Sequence, residues 1–432
     1  MSISLSNPLP YRAADFGSEE GLHRRREIFT VGDVFAFVVP LLQVIEVPVA
    51  GTLLAADLAM IAALPLALIR HSDRFRLKPI RTILMLGGLW LLGQIATDLF
   101  RESTSEDYLR GWIKIIFVLI NFIVVWLVVC GSRRRFMIYT VGMALGTIAA
   151  YYVHPSIDAV LSPWKFSLGV PVTMLVALFA ARFKEYRLLG ILIPLTVLAV
   201  THIYQDCRML AVIALITAIY SIFLMSQKRE SLGAMRRATL ILLVVMGIGG
   251  FASIYSFYAK QGAFGKYAQQ KQEAQSAGEG GALLGGRREI LASSQAIIDS
   301  PILGHGSWAR DPRYSALLQQ RSDDLGYKRF QGGKLDDLIP THSYVFGSWV
   351  DGGIAGGIFW LYVLIFTIYT TFNASGKEPL LPFFAFAGLM LTWDTLFSPL
   401  GTPTRFVAPF FVAAIILFRR FQTNPIEYEW ES

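Results

Sequence analysis

Few residues in this chain could do chemistry, and four of them are basic or titratable groups near apolar sequence: Arg208, Arg287, Arg288 and His342. Arg208 lies in Gln205-Asp206-Cys207-Arg208, flanked by apolar residues on both sides. A guanidinium stays charged and presents a planar fork of donors that fits phosphate oxygens. Arg208 therefore reads either as an anion site at a membrane face or as an interfacial anchor that snorkels to headgroups. Arg287 and Arg288 follow Gly285-Gly286 and open a predicted helix. Unpaired N–H groups and the dipole favour anions there; the alternative is a solvated charge pair. His342, in Thr341-His342-Ser343-Tyr344, can exchange a proton near neutral pH, or it can anchor the helix that follows.

Other polar groups read as structural. Lys114, Asp98 and Asp394 lie in or at the ends of apolar blocks, where charges are costly. They are expected to form ion pairs with one another or with the arginines. Asp33, Glu46 and Asp57 could line a cavity, although nothing local requires it. Asp323-Asp324 and Asp336-Asp337 are either a divalent-cation site or solvated loop residues. His154, His202 and His305 have no mutual ligand spacing, and Cys130 and Cys207 suggest neither a metal site nor a disulfide framework. No metal, no cofactor and no phosphate-binding Gly-Lys-Ser/Thr loop are expected.

The elements that must hold these groups are membrane helices. The chain has 432 residues, of which 54% are hydrophobic and only 16% charged. A soluble domain carries about 25% charge. The composition thus excludes a soluble globular enzyme, a disordered chain and a nucleic-acid binder. Apolar blocks of roughly 18–22 residues match the length that crosses a bilayer as helix. The net charge of +8 comes largely from clusters between the blocks, such as Arg24-Arg25-Arg26 and Arg133-Arg134-Arg135. With the N-terminus inside, the inner segments carry 22 Lys and Arg and the short outer segments 5, a strong positive-inside bias. No cleavable signal peptide is expected, because residues 1–27 are polar.

These patterns predict an all-α polytopic membrane protein of about twelve spans. A cytoplasmic N-tail (1–28) leads into spans one to nine (29–258), then a large outer loop (259–341). Spans ten to twelve (342–418) and a cytoplasmic C-tail (419–432) follow. The loop begins with a Gln/Ala/Gly-rich stretch, Gln269 to Gly286, expected to be partly mobile. A helix is predicted from Arg287 to Ser300, with Ile290, Leu291, Ser294, Ile297 and Ile298 on one face. Pro301 and Gly304-His305-Gly306 end it, and a second helix is predicted over Pro312–Arg321.

Gly286-Arg287-Arg288-Glu289-Ile290-Leu291, followed by Ser300-Pro301-Ile302-Leu303-Gly304-His305-Gly306, resembles the loop signature of the O-antigen ligase and polymerase superfamily. In that family an arginine opens a short helix and a Pro-(apolar)2-Gly-x-Gly turn closes it. Thr341-His342-Ser343-Tyr344 and then Val350-Asp351-Gly352-Gly353 resemble its His-Asn block and acidic-Gly pair. Arg208 stands where the family has a Ser-Arg pair. Cys207, Ser343, Asp351 and Leu291 replace the usual Ser, Asn, Glu and Trp.

The resemblance implies a GT-C-like glycosyltransferase of the bacterial inner membrane with its site facing the periplasm. The implied donor is a glycan on undecaprenyl diphosphate. The implied acceptor is a sugar hydroxyl, on a growing chain in polymerases or on lipid A core in ligases. By resemblance, Arg208 and Arg287, with Arg288 beside them, hold the diphosphate, and His342 serves the acceptor hydroxyl, without metal. Two other classes fit the composition: a lipid-linked oligosaccharide flippase or transporter, and a transferase that moves the glycan onto a protein. No similarity between the two halves, as paired transporter repeats would give, is evident.

Overall fold

The computed structural model describes residues 29–48, 52–183, 186–226, 234–327, 337–374, 376, 378, 380–402 and 404–423. The predicted N-tail, Asp336 and most of the predicted C-tail lie outside these residues. The fold is helical, as predicted. In chain order the first helices are α1 (Val31–Leu41), α2 (Ala55–His71), α3 (Lys78–Phe100), α4 (Ser105–Val124), α5 (Arg133–Val153) and the short α6 (Ile157–Leu161). Then come α7 (Gly169–Arg182), α8 (Ile193–Tyr204), α9 (Arg208–Met225) and α10 (Ala234–Lys260). The large loop forms α11 (Lys266–Ser276), α12 (Gly281–Gly285), α13 (Ile290–Asp299) and α14 (Pro312–Asp324). The chain returns through α15 (Tyr344–Phe372), α16 (Leu381–Phe397) and α17 (Thr404–Thr423).

Local sequence sets many of the boundaries. Thr30, Thr104 and Ser132 cap α1, α4 and α5 with their hydroxyls, satisfying N–H groups that have no partner inside the helix. Prolines open α3, α8 and α16, where the missing N–H costs nothing. Wider-wound turns at Val125–Val129, Trp164–Leu168 and Arg187–Leu192 extend α4, α7 and α8.

Among the described residues, eight helical segments are long and apolar enough to cross a membrane. The other four of the predicted twelve fall on α1, α10, α16 and α17; α1 and α16 are shorter apolar helices. The two last helices are central. Phe383, Phe384 and Phe386 of α16 and Phe406, Phe410 and Ile415 of α17 are fully buried. The outer helices instead expose large apolar side chains such as Leu92, Val197 and Ile365, a belt that a lipid environment would cover. A two-stranded hairpin, β1 (Glu46–Pro48) with β2 (Thr52–Leu54), was not foreseen in the apolar run; it pairs Val47 with Leu53.

The most extensive helix pairing joins α3 to α15. Small residues allow it: a Cβ on Gly93 would approach the Ala355 Cβ to 2.8 Å, so the backbones come close, as membrane helix interfaces favour. Trp90 stacks on Phe359 at 5.0 Å just below this contact.

The loop ends sort onto two faces. On one, Asp33 approaches Arg134 and Arg135 at 3.7 and 3.6 Å, and Arg187 donates to the Met225 carbonyl. On the other, Arg405 pairs with buried Asp57 at 2.9 Å, and the large loop packs on the ends of α3 and α4. Arg208, Arg287, Arg288 and His342 all belong to this second face.

Candidate functional site

The frame of the site is built where two of the sequence motifs dock on each other. The backbone of α15 leaves helical geometry at Gly352 and Gly353, with φ of 66° and ψ of −157° at Gly353. That region is essentially open only to glycine. The turn after α13 fits into the break. His305 N–H donates to the Val350 carbonyl (2.7 Å), Gly306 N–H to the Asp351 carbonyl (3.0 Å), and Ile354 N–H to the Ile302 carbonyl (3.1 Å). Backbone N–H and C=O groups released by the kink are thereby satisfied by the loop, as membrane-depth irregularity requires.

Asp98 at the end of α3 fixes the same turn. Its carboxylate accepts from the Ser307 N–H (2.6 Å) and Oγ (2.8 Å), from Trp112 Nε1 (2.8 Å) and from Ser103 Oγ (2.9 Å). Arg101 donates to the Gly304 carbonyl. The residue after Ser307 bears the strain: Trp308 has φ of 53°, a left-handed conformation that is an outlier for a bulky residue and costs on the order of 1–3 kcal/mol.

A cavity of about 960 Å³ opens beside this frame. His342, Arg288, Glu289, Trp308, Asp323, Lys114 and Asp351 are among the residues lining it. Ser343 holds His342 in place by two bonds. Its Oγ caps α15 by accepting from the Phe346 N–H (3.3 Å) and donates to the Thr395 carbonyl of α16 (2.8 Å). Burial lowers the His342 pKa from its ordinary value; nearby Glu289 opposes this, and Arg287 and Lys165 add to it. The imidazole is thus biased towards its neutral, proton-accepting form.

A second cavity, of about 270 Å³, is lined by Lys165, Lys271, Gln275, Gly286, Arg288 and Glu289, among others. Arg288 and Glu289 border both cavities, so the proton-accepting and basic regions meet at these two side chains. Burial also lowers Arg287, against Glu289, but a guanidinium remains protonated. Arg287 lies over Trp393 at 5.6 Å and Phe397 at 6.0 Å. Its Nε, like Glu289 Oε2, is buried with no hydrogen-bond partner among the described residues.

Arg208, like Arg287, lines neither cavity; it lies behind the small one. It donates to Gln272 Oε1 (2.7 Å) and Gln275 Oε1 (2.8 Å) of α11, and it lies 4.9 Å from the Tyr255 ring. Asp206 sits 3.9 Å from its Nε and pairs with Lys271. Arg208 is joined through Gln275, and through Asp206 and Lys271, to the small cavity.

Three sequence expectations need correction. Arg287 does not open a helix: α13 starts at Ile290, and Arg287 lies in the preceding turn, so its surroundings are aromatic rather than a helix dipole. The buried face of α13 is Ala292, Ser293 and Ala296, whereas Ile290 and Ile298 are exposed. Small side chains let α13 approach α14 and α15 closely. The stretch Gln269 to Gly286, read from its composition as a link, contributes to α11 and α12.

Lys114 pairs with Asp351 at 2.9 Å, Asp394 accepts from Ser398 Oγ, and Asp57 takes Arg405 and Asn121. Asp33 forms a capping box with Thr30, and Glu46 lies exposed on β1. His202 is buried between Trp164 and Thr173, His305 meets the Ala296 carbonyl, and His154 is exposed. Asp323 lines the large cavity, Asp324 and Asp337 do not, and Asp336 lies outside the described residues. Both cysteines are buried and unbonded. Sequence reasoning passed over Glu289, Lys165, Lys271 and Trp308. Glu289 had a signal, as the acid beside two arginines; the others are placed only by the folded loop. Comparison with protein-family models, curated proteins and solved structures returned no match.

Proposed function

We propose that this chain is a surface-polysaccharide glycosyltransferase of the bacterial inner membrane, with twelve spans, cytoplasmic termini and a site open to the periplasm. It takes a glycan from undecaprenyl diphosphate and joins it to a sugar hydroxyl, as the motif resemblance implies. The observation that carries this reading is the meeting of two cavities at Arg288 and Glu289, one holding His342 and the other ringed by Lys165, Lys271 and Arg288.

In the proposed step, His342 takes the proton from the acceptor hydroxyl as its oxygen attacks the anomeric carbon. The new C–O bond forms as the bond to the diphosphate breaks, inverting that carbon. The lipid diphosphate departs with the electron pair. Arg208, Arg287 and Arg288, with Lys165 and Lys271, supply the charge that steadies it. One well-placed donor of this kind is worth roughly 3–4 kcal/mol. The two glutamine oxygens now on Arg208 are neutral acceptors, weaker partners than a phosphate.

The test is glycan transfer in proteoliposomes supplied with lipid-linked glycan from the producing cell. His342→Ala, Arg208→Ala and Arg287→Ala should each abolish bond formation while the protein still inserts. Arg208→Lys should also be poor, because a point charge cannot replace the fork. Near-normal product from the three alanine variants rejects this site. Carrier movement across the bilayer with no new glycosidic bond would show a flippase. Glycan found on a secreted protein, and lost in a deletion strain, would show a protein transferase. In cells, loss of a polymerase leaves single repeats, and loss of a ligase leaves long chains unattached to lipid A core.

A further inference from the structure

Trp308 turns a large apolar ring outward. It is 41% exposed and lines the large cavity with Lys114, Asp351 and His342. Its φ of 53° is imposed from both sides. Ser307 is held by Asp98 through its N–H (2.6 Å) and Oγ (2.8 Å). Ala309 accepts from the Ile339 N–H (3.1 Å), and Arg310 bridges to Leu338. With both neighbours fixed, the intervening residue has little choice of conformation, and the ring is set at the cavity rather than in the core. Strain that the surroundings over-determine is characteristic of functional positions.

Next to the ring, the wall is polar. Lys114 Nζ lies 5.9 Å from the Trp308 ring and 2.9 Å from Asp351 Oδ2, giving a fixed ammonium donor and carboxylate acceptor. A flat apolar face beside a rim of donors and acceptors matches one chemical class well. A pyranose ring has a face of C–H bonds that packs on an aromatic plane and an edge of hydroxyls that seek such groups.

We propose that Trp308 is the stacking platform of a sugar subsite in the large cavity, with Lys114 and Asp351 reading hydroxyls of the stacked ring. This rests on the glycosyltransferase reading above and adds to it where the glycan binds. The subsite lies on the same cavity as His342 but outside the basic region, so it holds sugar and not phosphate.

The test separates the two ideas. Full-length protein in detergent is titrated with oligosaccharide repeats released by mild acid from the surface glycan of the producing cell, followed by ligand-observed NMR. Trp308→Ala and Trp308→Gly should weaken binding about tenfold, and Trp308→Tyr, which keeps a ring, by no more than about threefold. Trp308→Gly relieves the left-handed backbone and should melt no lower than wild type, so its loss of binding reports the ring and not the fold. In transfer assays the Trp308 variants should raise the acceptor KM more than they lower kcat. His342→Ala should bind the sugar normally. Unchanged binding in Trp308→Ala and Trp308→Gly, or no binding by wild type, overturns the subsite. If wild type binds the sugar, the Trp308 variants lose it and wild type makes no glycosidic bond, the subsite stands and the transferase reading falls.

Discussion

His342 is surrounded by charges of both signs, and that gives a signed test of its role. A general base works in its neutral form, so transfer should fall as pH drops through the His342 pKa. Because burial lowers that pKa, the acid limb of kcat/KM should lie below the value of a free histidine. Glu289 raises it and Arg287 lowers it. Glu289→Gln should therefore move the limb to lower pH, and residual activity in Arg287→Ala should show it moved higher. A pH–rate profile of the three proteins checks this, and His342→Ala should lose roughly 10²–10⁴-fold in rate. In the sequence Arg208 stood out because charge in apolar surroundings demands a reason, Arg287 by its place at a predicted helix start and His342 by its proton chemistry. Lys271 and Trp308 did not. Lys271 lies in a stretch whose composition suggests a flexible link, and no local pattern announces that a tryptophan will adopt positive φ.

Two breaks in regular helix explain why the motifs have the spacing they do. Gly353 is needed because a Cβ there would collide with the Ile302 carbonyl. Gly353→Ala should destabilise the protein by more than about 3 kcal/mol, seen as a large fall in melting temperature in detergent. Ser343 is the N-cap of α15 and also bonds to α16. Ser343→Ala should cost about 1 kcal/mol and lower kcat by loosening His342, whereas Ser343→Asn should largely restore both, since either side chain caps a helix well. The existence of α13 and α14 was readable from apolar spacing and prolines. The buried face of α13 was not, because alanine and serine carry little hydrophobic signal, yet they are the residues that permit close approach.

The helical class followed from block length, which averages over many residues and tolerates local error. The count of spans did not follow as cleanly. Helices such as α16 and α17 are surrounded by protein, so their length is set by their neighbours as well as by the bilayer. Orientation is testable with the chain's own chemistry, because Cys130 and Cys207 are buried and should give a quiet background. In spheroplasts, an impermeant maleimide should label Glu279→Cys, exposed in the large loop, without permeabilisation. Ser72→Cys, exposed on the opposite face, should label only after permeabilisation.

The seam between the turn at Ile302–Gly306 and the kink at Gly352–Gly353 bears on biogenesis. The loop leaves the translocon before the segment it must grip has been made, so its ordering waits for synthesis of α15. A nascent chain halted near residue 341 should expose the loop to protease at the outer surface, and one extended past residue 372 should resist. The polypeptide thus defers ordering of this loop until most of the helical bundle has been made.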